Sequence, residues 1–158
     1  LNSYFDRMAR CISQRGGMVN KYIGDAILAV FNAPVELESH SEQAVLAAKD
    51  MFAEQGNLND ELQSKGLPPL KSRVGVHTGG ALCGNIGSGQ RMEYTVIGDT
   101  VNVTARLEAA CKKAGVSVLI SHATYQSLND AMVQQLKYLG KTQLRGRQNL
   151  TGLYTFVN

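Results

Sequence analysis

The sequence predicts an α+β fold, an α/β sandwich in which helices pack on one side of a β-sheet. Segments whose apolar residues recur at helical spacing alternate along the chain with short apolar runs that are typical of strands. Several of these runs are separated by glycine-containing turns, which indicates β-hairpins. The chain has 158 residues, 44% of them hydrophobic, and can bury one core, so we expect a single domain over residues 1–158.

The beginning of the chain predicts a helix followed by a hairpin. Before Gly16 ends the pattern, four apolar residues keep helical spacing, namely Tyr4, Phe5, Met8 and Ile12. Residues 18–22 and 26–31 are short apolar runs joined by a Gly-Asp pair, the composition of a hairpin with a tight turn. We expect Asp25 at the tip of this hairpin.

The middle of the chain predicts a long helix and then a strand. Ser39 or Ser41 is a candidate cap for the helix. The apolar residues that follow keep helical spacing: Ala44, Val45, Ala48, Met51, Phe52 and Leu62. Gly56 indicates a break in this helix, and two prolines close it. Residues 70–77 then alternate as a strand does, and we expect this strand to be central in the sheet.

The rest of the chain predicts two further hairpins and two helices. Strand-like runs occupy residues 81–86, 92–97, 116–120, 136–144 and 150–157. The first two runs form one hairpin, and the last two pair across the polar loop 145–149. A helix is expected from Asp99 to about Ala114, with Thr100 helping Asp99 to cap it. Ser121 is a candidate cap of another helix.

The composition is compatible with a cytoplasmic domain and with an anionic small-molecule ligand. The formal net charge is +3 with acids and bases interspersed, which fits an anionic small molecule at least as well as a nucleic-acid surface. No apolar run approaches the roughly 20 residues of a membrane span, and no signal-peptide pattern is present. The cysteines lack metal-ligand spacing and are interpreted as reduced, packed thiols: Cys11, Cys83 and Cys111.

The segment from Arg91 to Glu108 carries the clearest chemistry. It runs from a strand-like stretch through a glycine turn into a helix on which Asn102 and Arg106 are four residues apart. That spacing places both side chains on one helix face, where a hydrogen-bond donor and a fixed positive charge converge on one anionic group. A phosphate fits this pair. The alternative is a solvent-exposed arginine on an amphipathic helix.

A second segment, residues 19–31, places Lys21 and Asp25 on either side of a tight turn between two apolar runs. Together with the first segment, and with Gly75-Val-His-Thr-Gly-Gly80 and Gly84-Asn-Ile-Gly-Ser88, it resembles the catalytic domain of class III nucleotidyl cyclases. The likeness covers nearly the whole chain in the same order, and it is greatest to bacterial-type adenylyl cyclases. His77 is interpreted as a structural histidine, and the glycines of residues 79–89 as turn residues.

The resemblance implies a fold and an assembly. It implies a ferredoxin-like βαβ-type core with a largely antiparallel sheet, assembled as a head-to-tail homodimer. In the family, a strand before the first helix carries the first metal-binding aspartate, and no residue here matches it, because Asp6 lies within the first helix. We therefore expect a domain missing its first strand, with little turnover of its own, and a regulatory domain upstream.

The resemblance also implies a two-metal reaction centre. Asp25 matches the family's second metal-binding aspartate, and two Mg²⁺ or Mn²⁺ ions are expected in the intact domain. Such ions suit an attack by a ribose 3′-hydroxyl on an α-phosphate, because one lowers the pKa of the hydroxyl and the other shields the triphosphate. On the hairpin alone, Asp25 is also explained as a turn-forming residue.

Lys21 and Thr95 match the two family positions that read the purine. Adenine offers an N1 acceptor and a 6-amino donor, which an ammonium and a hydroxyl complement. Family members that use GTP resemble one another in carrying a Glu and a Cys or similar residue at these places, so ATP is the expected substrate. Without the resemblance, Lys21 is explained as a solvated side chain and Thr95 as a β-branched strand residue.

Asn102 and Arg106 match the family residues that orient the ribose and contact the α-phosphate. Arg145 or Arg147 resembles the basic residue that holds the terminal phosphates, and spacing does not choose between them; either is also explained as an exposed loop arginine. The family's sites lie at the dimer interface, with metal-binding and purine-reading residues from one subunit and the Asn and Arg from the other. A small rotation between subunits would then regulate activity.

The function predicted from these residues is that of an adenylyl cyclase catalytic domain, which makes cyclic AMP and pyrophosphate from ATP. A guanylyl cyclase is the nearest alternative. A non-catalytic module of the same fold, which binds nucleotide or dimerises without turnover, is the alternative from another class.

Overall fold

A computed structural model describes residues 1–157. The helices are α1 Asn2–Gln14, α2 His40–Ser64, α3 Asp99–Ala114, α4 His122–Tyr125 and α5 Asp130–Val133. The strands are β1 Met18–Ile23, β2 Ala26–Val30, β3 Val74–Val76, β4 Leu82–Ser88, β5 Arg91–Ile97, β6 Val118–Ser121, β7 Leu136–Gln143 and β8 Leu150–Phe156. Among residues 1–157, no helix combines the length and hydropathy that a bilayer crossing requires.

The described strands form three sheets, and the α+β class is confirmed. β1 pairs with β2 and β4 pairs with β5, both as the predicted antiparallel hairpins. The other four strands form a sheet in the order β3-β6-β8-β7, in which β3 and β6 are parallel and the remaining pairs antiparallel. A sheet of this kind needs a long crossover between its parallel strands, and α3 lies within that connection.

Helices cover both faces of the four-stranded sheet. Val118 and Ile120 of β6 pack in one buried cluster with Val45 of α2, whereas Leu119 packs in a second cluster with Leu107 of α3. Successive side chains of a strand point to opposite faces, so β6 separates two cores. The expectation that helices pack on one side is therefore wrong. The uninterrupted apolar run of β6 is the pattern of a strand buried on both faces.

The strand predicted over residues 70–77 is shorter than expected and is not central. Only Val74–Val76 forms β3, and this strand lies at an edge of the four-stranded sheet. The side chain of Asn59 in α2 donates to the carbonyl of Leu70 at 2.9 Å and accepts its N–H at 2.7 Å. Because these backbone groups are bonded to a side chain, residue 70 does not join a strand ladder.

The long helix also differs from the prediction. α2 continues through Gly56 without a break, since one interior glycine costs a helix only about 0.5–1 kcal/mol. Ser39 is at its N-cap but makes no side-chain capping bond, and the Ser41 hydroxyl bonds instead to Thr78 at 2.9 Å. The cap predicted at Ser121 is confirmed, because its hydroxyl accepts the backbone N–H of Thr124 in α4 at 3.2 Å.

The three cysteines are free, and two are buried, as the packing interpretation predicted. Cys11 of α1 and Cys111 of α3 are buried, and Cys83 is partly exposed. Burial raises the pKa of the Cys111 thiol to about 11, so this thiol stays protonated at neutral pH.

Close packing of α3 on β3 depends on Gly75. A β-carbon at this position would lie 2.6 Å from two backbone atoms of α3, the nitrogen of Glu108 and the carbonyl oxygen of Thr104. Relief of this clash requires a shift of the helix. We expect Gly75→Ala to lower the free energy of unfolding by about 3 kcal/mol and the Tm by roughly 10 °C, measured by thermal denaturation.

Gly56→Ala is the matched control, because a β-carbon on Gly56 meets open space. The same chemical change should there raise the free energy of unfolding by about 0.5–1 kcal/mol. Equal stability of Gly75→Ala and the unchanged protein would contradict the close approach of β3 and α3.

Candidate functional site

α3 holds Asn102 and Arg106 one turn apart. Val103 and Leu107 are buried at 1% and 0% exposure, which fixes the rotation of the helix on the sheet. Asn102 is exposed and Arg106 is half-buried. Since residues four apart are neighbours on a helix surface, the two side chains form the amide and guanidinium pair that the sequence predicts.

The start of α3 is tied to two loops. Gly98 is the N-cap residue, with a φ of 139° that favours glycine, and no side chain caps the helix. The prediction that Asp99 and Thr100 are caps is therefore wrong. The Thr100 hydroxyl instead donates to the carbonyl of Gly80 at 2.6 Å, and the Asp99 carboxylate accepts from Arg147 Nη1 at 2.7 Å. The first turn of α3 is thus joined to the loop after β3 and to the β7–β8 loop.

The guanidinium of Arg106 lies against the β7–β8 loop. Gly146, in the left-handed region at φ 76°, has no side chain, and a β-carbon there would lie 3.3 Å from Arg106 Nη2. Arg145 and Arg147 flank this glycine, so the fold gathers three arginines from two distant segments. Within residues 1–157, the pair with Asp99 is the one salt bridge that these arginines make. Their excess positive charge suits a ligand with several negative charges.

Arg145 and Arg147, which the sequence did not distinguish, differ in their contacts. Arg147 is half-buried and bonded to Asp99. Arg145 is exposed and makes no side-chain hydrogen bond or salt bridge within the described part of the chain. The geometry therefore leaves Arg145 free for a ligand, while Arg147 holds the loop against α3.

Lys21 and Thr95 lie on neighbouring hairpins. Asn20, which precedes Lys21 in β1, donates through Nδ2 to the Tyr94 carbonyl at 3.0 Å and accepts from the Thr95 hydroxyl at 3.4 Å. These bonds hold β1 beside β5. Thr95 is buried at 8% exposure, and Lys21 is half-buried. Asn20 was not predicted from the sequence, because no local pattern indicates a contact with Thr95, 75 residues away.

The β5 strand beside Lys21 and the helix that carries Asn102 and Arg106 are consecutive along the chain. β5, which carries Thr95, ends at Ile97 and passes through Gly98 directly into α3. Thr95 and Asn102 are therefore separated by one short turn. A ligand that contacts both the β1–β5 junction and the exposed face of α3 would meet Lys21, Thr95, Asn102 and Arg106 from the same chain.

Asp25 stands alone on the exposed turn between β1 and β2, as predicted. Within residues 1–157, no three or more His, Cys, Asp or Glu side chains lie close enough to share a metal ion. Mg²⁺ and Mn²⁺ prefer oxygen ligands, and Mg²⁺ often takes one or two carboxylates together with water and phosphate oxygens. Asp25 supplies one carboxylate.

His77 has a structural contact, in agreement with its predicted role. Its Nδ1 bonds to the Ser121 hydroxyl at 2.8 Å. Burial, and then the positive charge of Arg147, lowers the pKa of His77 below its usual value, while the Asp99 carboxylate opposes the shift. A cavity of about 660 Å³ opens beside it; of the predicted site residues, only Arg147 lines this cavity.

The hairpins that carry the predicted site also expose large apolar side chains. Five of them, between 46% and 64% exposed, are Tyr22, Ile23, Leu82, Met92 and Ile97. Single exposed apolar residues are ordinary on a protein surface, but several on adjacent hairpins are typical of a surface that a partner covers.

Comparison with known proteins gives a consistent result. Residues 1–157 match the family model described as the adenylate and guanylate cyclase catalytic domain. The chain is 34% identical over 157 residues to Adenylate cyclase 1 of Rhizobium meliloti, covering 99% of this chain and 23% of that protein. It is 32% identical over 159 residues to an adenylate cyclase of Anabaena cylindrica, covering 98% of this chain and 31% of that protein. The chain thus spans under a third of the length of these relatives.

Solved structures of both substrate classes share the fold. The crystal structure of the guanylyl cyclase Cya2 matches with a TM-score of 0.84 and 30% identity, over 98% of this chain and 76% of that one. The adenylyl cyclase CyaB from P. aeruginosa matches with a TM-score of 0.85 and 27% identity, over 99% of this chain and 80% of that one. Similarity of fold therefore does not distinguish an adenylyl cyclase from a guanylyl cyclase.

Proposed function

The chain belongs to the adenylate and guanylate cyclase catalytic domain family, and we propose that it is an adenylyl cyclase domain, which converts ATP to 3′,5′-cyclic AMP and pyrophosphate. The observation that carries the proposal is the approach of Arg106 to Gly146, the glycine between Arg145 and Arg147 in the β7–β8 loop. These arginines complement a triphosphate, and Lys21 with Thr95 complements adenine.

In the proposed reaction, the ribose 3′-oxygen forms a bond to the α-phosphorus as the bond from that phosphorus to the pyrophosphate oxygen breaks. Pyrophosphate leaves with the bonding electrons, and the hydroxyl proton is released. Asn102 orients the ribose, and Arg106 contacts the α-phosphate as negative charge accumulates there. An interaction that strengthens in the transition state lowers the barrier, so this contact acts on kcat. Arg145 binds the terminal phosphates, while Arg147 keeps the loop in place through Asp99.

Lys21 and Thr95 select the base. The Lys21 ammonium donates to adenine N1, and the Thr95 hydroxyl accepts from the 6-amino group. Guanine presents an N–H at position 1 and an oxygen at position 6, so both contacts would be mismatched. A mismatched buried hydrogen-bonding group costs more binding free energy than the loss of an apolar contact does. This difference is the physical basis of the proposed preference for ATP.

The family resemblance implies Mg²⁺ or Mn²⁺, and the residues described here fit such ions only in part. Asp25 is a suitable oxygen ligand, but residues 1–157 of one chain hold no cluster that completes a site around it. We propose Asp25 as one ligand of the metal centre and route no step of the reaction through the ions.

A second copy of the chain is the proposed partner. The β1–β2 and β4–β5 hairpins, which carry Lys21 and Thr95, also expose five large apolar side chains, and a symmetric pair of chains would cover them. Because β5 runs directly into α3, we propose that Lys21, Thr95, Asn102 and Arg106 of one protomer act together. The exposed Asp25 turn then comes from the facing protomer. This arrangement differs from the division of residues that the resemblance implied.

The direct test is product formation from ATP. The chain, and the longest natural polypeptide that contains it, are incubated with ATP or GTP and with Mg²⁺ or Mn²⁺, and the products are separated by chromatography. We expect cyclic AMP and pyrophosphate in equal amounts from ATP and little cyclic GMP from GTP.

The alternatives give different results in the same assay. Faster formation of cyclic GMP than of cyclic AMP would support a guanylyl cyclase, which the similarity to Cya2 makes a specific alternative. If the longest polypeptide binds ATP but releases no cyclic product, the domain is a nucleotide-binding module, and the proposed enzymatic function is wrong.

A further inference from the structure

Asn20 occupies an irregular position in β1, next to the residue proposed to read adenine N1. Val19 and Lys21 pair with consecutive residues of β2, so Asn20 is the extra residue of a β-bulge. Bulges near functional sites re-aim side chains. Here the side chain of Asn20 leaves its own hairpin and bonds to β5, at Tyr94 and Thr95.

The bond to Tyr94 determines which way the Asn20 amide points. A backbone carbonyl only accepts hydrogen bonds, so the Asn20 atom 3.0 Å from the Tyr94 oxygen is the amide nitrogen. A reversed amide would place two oxygens against each other. Asn20 Oδ1 therefore faces the Thr95 hydroxyl, 3.4 Å away. Since Oδ1 is an acceptor only, the single hydroxyl hydrogen of Thr95 points toward Asn20.

The hydroxyl of Thr95 is thereby left with lone pairs for a ligand. We propose that Asn20 is a positioning residue that fixes the Thr95 hydroxyl as an acceptor and so favours a 6-amino purine over a 6-oxo purine. This inference rests on the proposed function. Adenine donates its amino hydrogen to the prepared acceptor, whereas the 6-oxygen of hypoxanthine or guanine meets lone pairs.

Burial of Thr95 strengthens the effect of its hydroxyl orientation on the choice of purine. Thr95 is 8% exposed, and within residues 1–157 its hydroxyl makes a hydrogen bond to one side chain, that of Asn20. A hydroxyl without that fixed partner rotates and serves as donor or acceptor, as the ligand requires. Threonine alone therefore discriminates poorly between the two kinds of purine, and the added discrimination comes from Asn20.

The test compares two substitutions that both lose the amide N–H bond to Tyr94. Asn20→Leu removes the acceptor that faces Thr95, whereas Asn20→Asp keeps an acceptor there. The readout is the ratio of kcat/KM for ATP to kcat/KM for inosine triphosphate, which differs from GTP in lacking the 2-amino group. We expect Asn20→Leu to lower this ratio about tenfold, the worth of one hydrogen bond, and Asn20→Asp to retain it.

A Thr95→Val background checks that the effect passes through the hydroxyl. There, Asn20→Leu should leave the ratio unchanged. An unchanged ratio in Asn20→Leu alone, or an equal loss in Asn20→Asp, would overturn the proposal. If the longest natural polypeptide that contains the unchanged chain releases no cyclic product, the proposed function fails instead. The ratio of the Kd values for ATP and inosine triphosphate, measured by calorimetry, then still tests Asn20.

Discussion

Arg106→Ala is expected to lower kcat for cyclic AMP formation by about 10²–10³-fold, the usual cost of removing one donor that stabilises transition-state charge. KM for ATP should change little, because the other phosphate and base contacts remain. The Arg106 side chain is half-buried, and its guanidinium lies beside Gly146. Steady-state kinetics on the most active natural polypeptide that contains the domain provide the measurement.

Two further substitutions make the Arg106 result interpretable. Arg106→Lys keeps the charge but loses the planar, multiply donating group, and it should give an intermediate kcat. Lys112→Ala, an exposed cation in the last turn of the same helix, should leave kcat unchanged. A rise in KM with unchanged kcat would place the Arg106 contact in the ground state and contradict the proposed role.

The parts of the fold that were predicted correctly are those specified by local patterns. α1 follows from the 3.6-residue spacing of its apolar positions, and the hairpins from runs joined by glycine turns. The edge position of β3 and the helices on both faces of the sheet depend on which strands meet, and no local pattern contains that information. The continuous apolar run of β6 was the one available signal for the second core.

In the candidate site too, the features that were predicted correctly are the local ones, and those that were missed depend on contacts between distant residues. The pairing of Asn102 with Arg106 follows from helix geometry, and Asp25 follows from turn composition. The contact of Arg147 with Asp99 joins residues 48 apart, and that of Asn20 with Thr95 joins residues 75 apart. Such contacts arise only after the sheets have formed. Sequence alone therefore left Arg145 and Arg147 equivalent, and it misassigned Asp99 as a helix cap.

Exchange of the purine-reading pair should produce the other large effect. In Lys21→Glu with Thr95→Cys, the carboxylate accepts from guanine N1–H, and the thiol is a donor for the 6-oxygen. We expect the ratio of kcat/KM for ATP to kcat/KM for GTP to fall by about 10²-fold or more, since two hydrogen-bonded contacts are reversed. A retained preference for ATP would refute the assignment of these two residues.

Asn20 should limit how far the Lys21→Glu, Thr95→Cys double variant shifts its preference toward GTP. In the double variant, Asn20 Oδ1 still faces position 95 and competes for the proton of the new thiol. Addition of Asn20→Leu removes that competing acceptor and frees the thiol to donate to the purine 6-oxygen. The triple variant should therefore favour GTP more strongly than the double variant. Equal ratios in the two variants would mean that the purine, and not Asn20, orients the group at position 95.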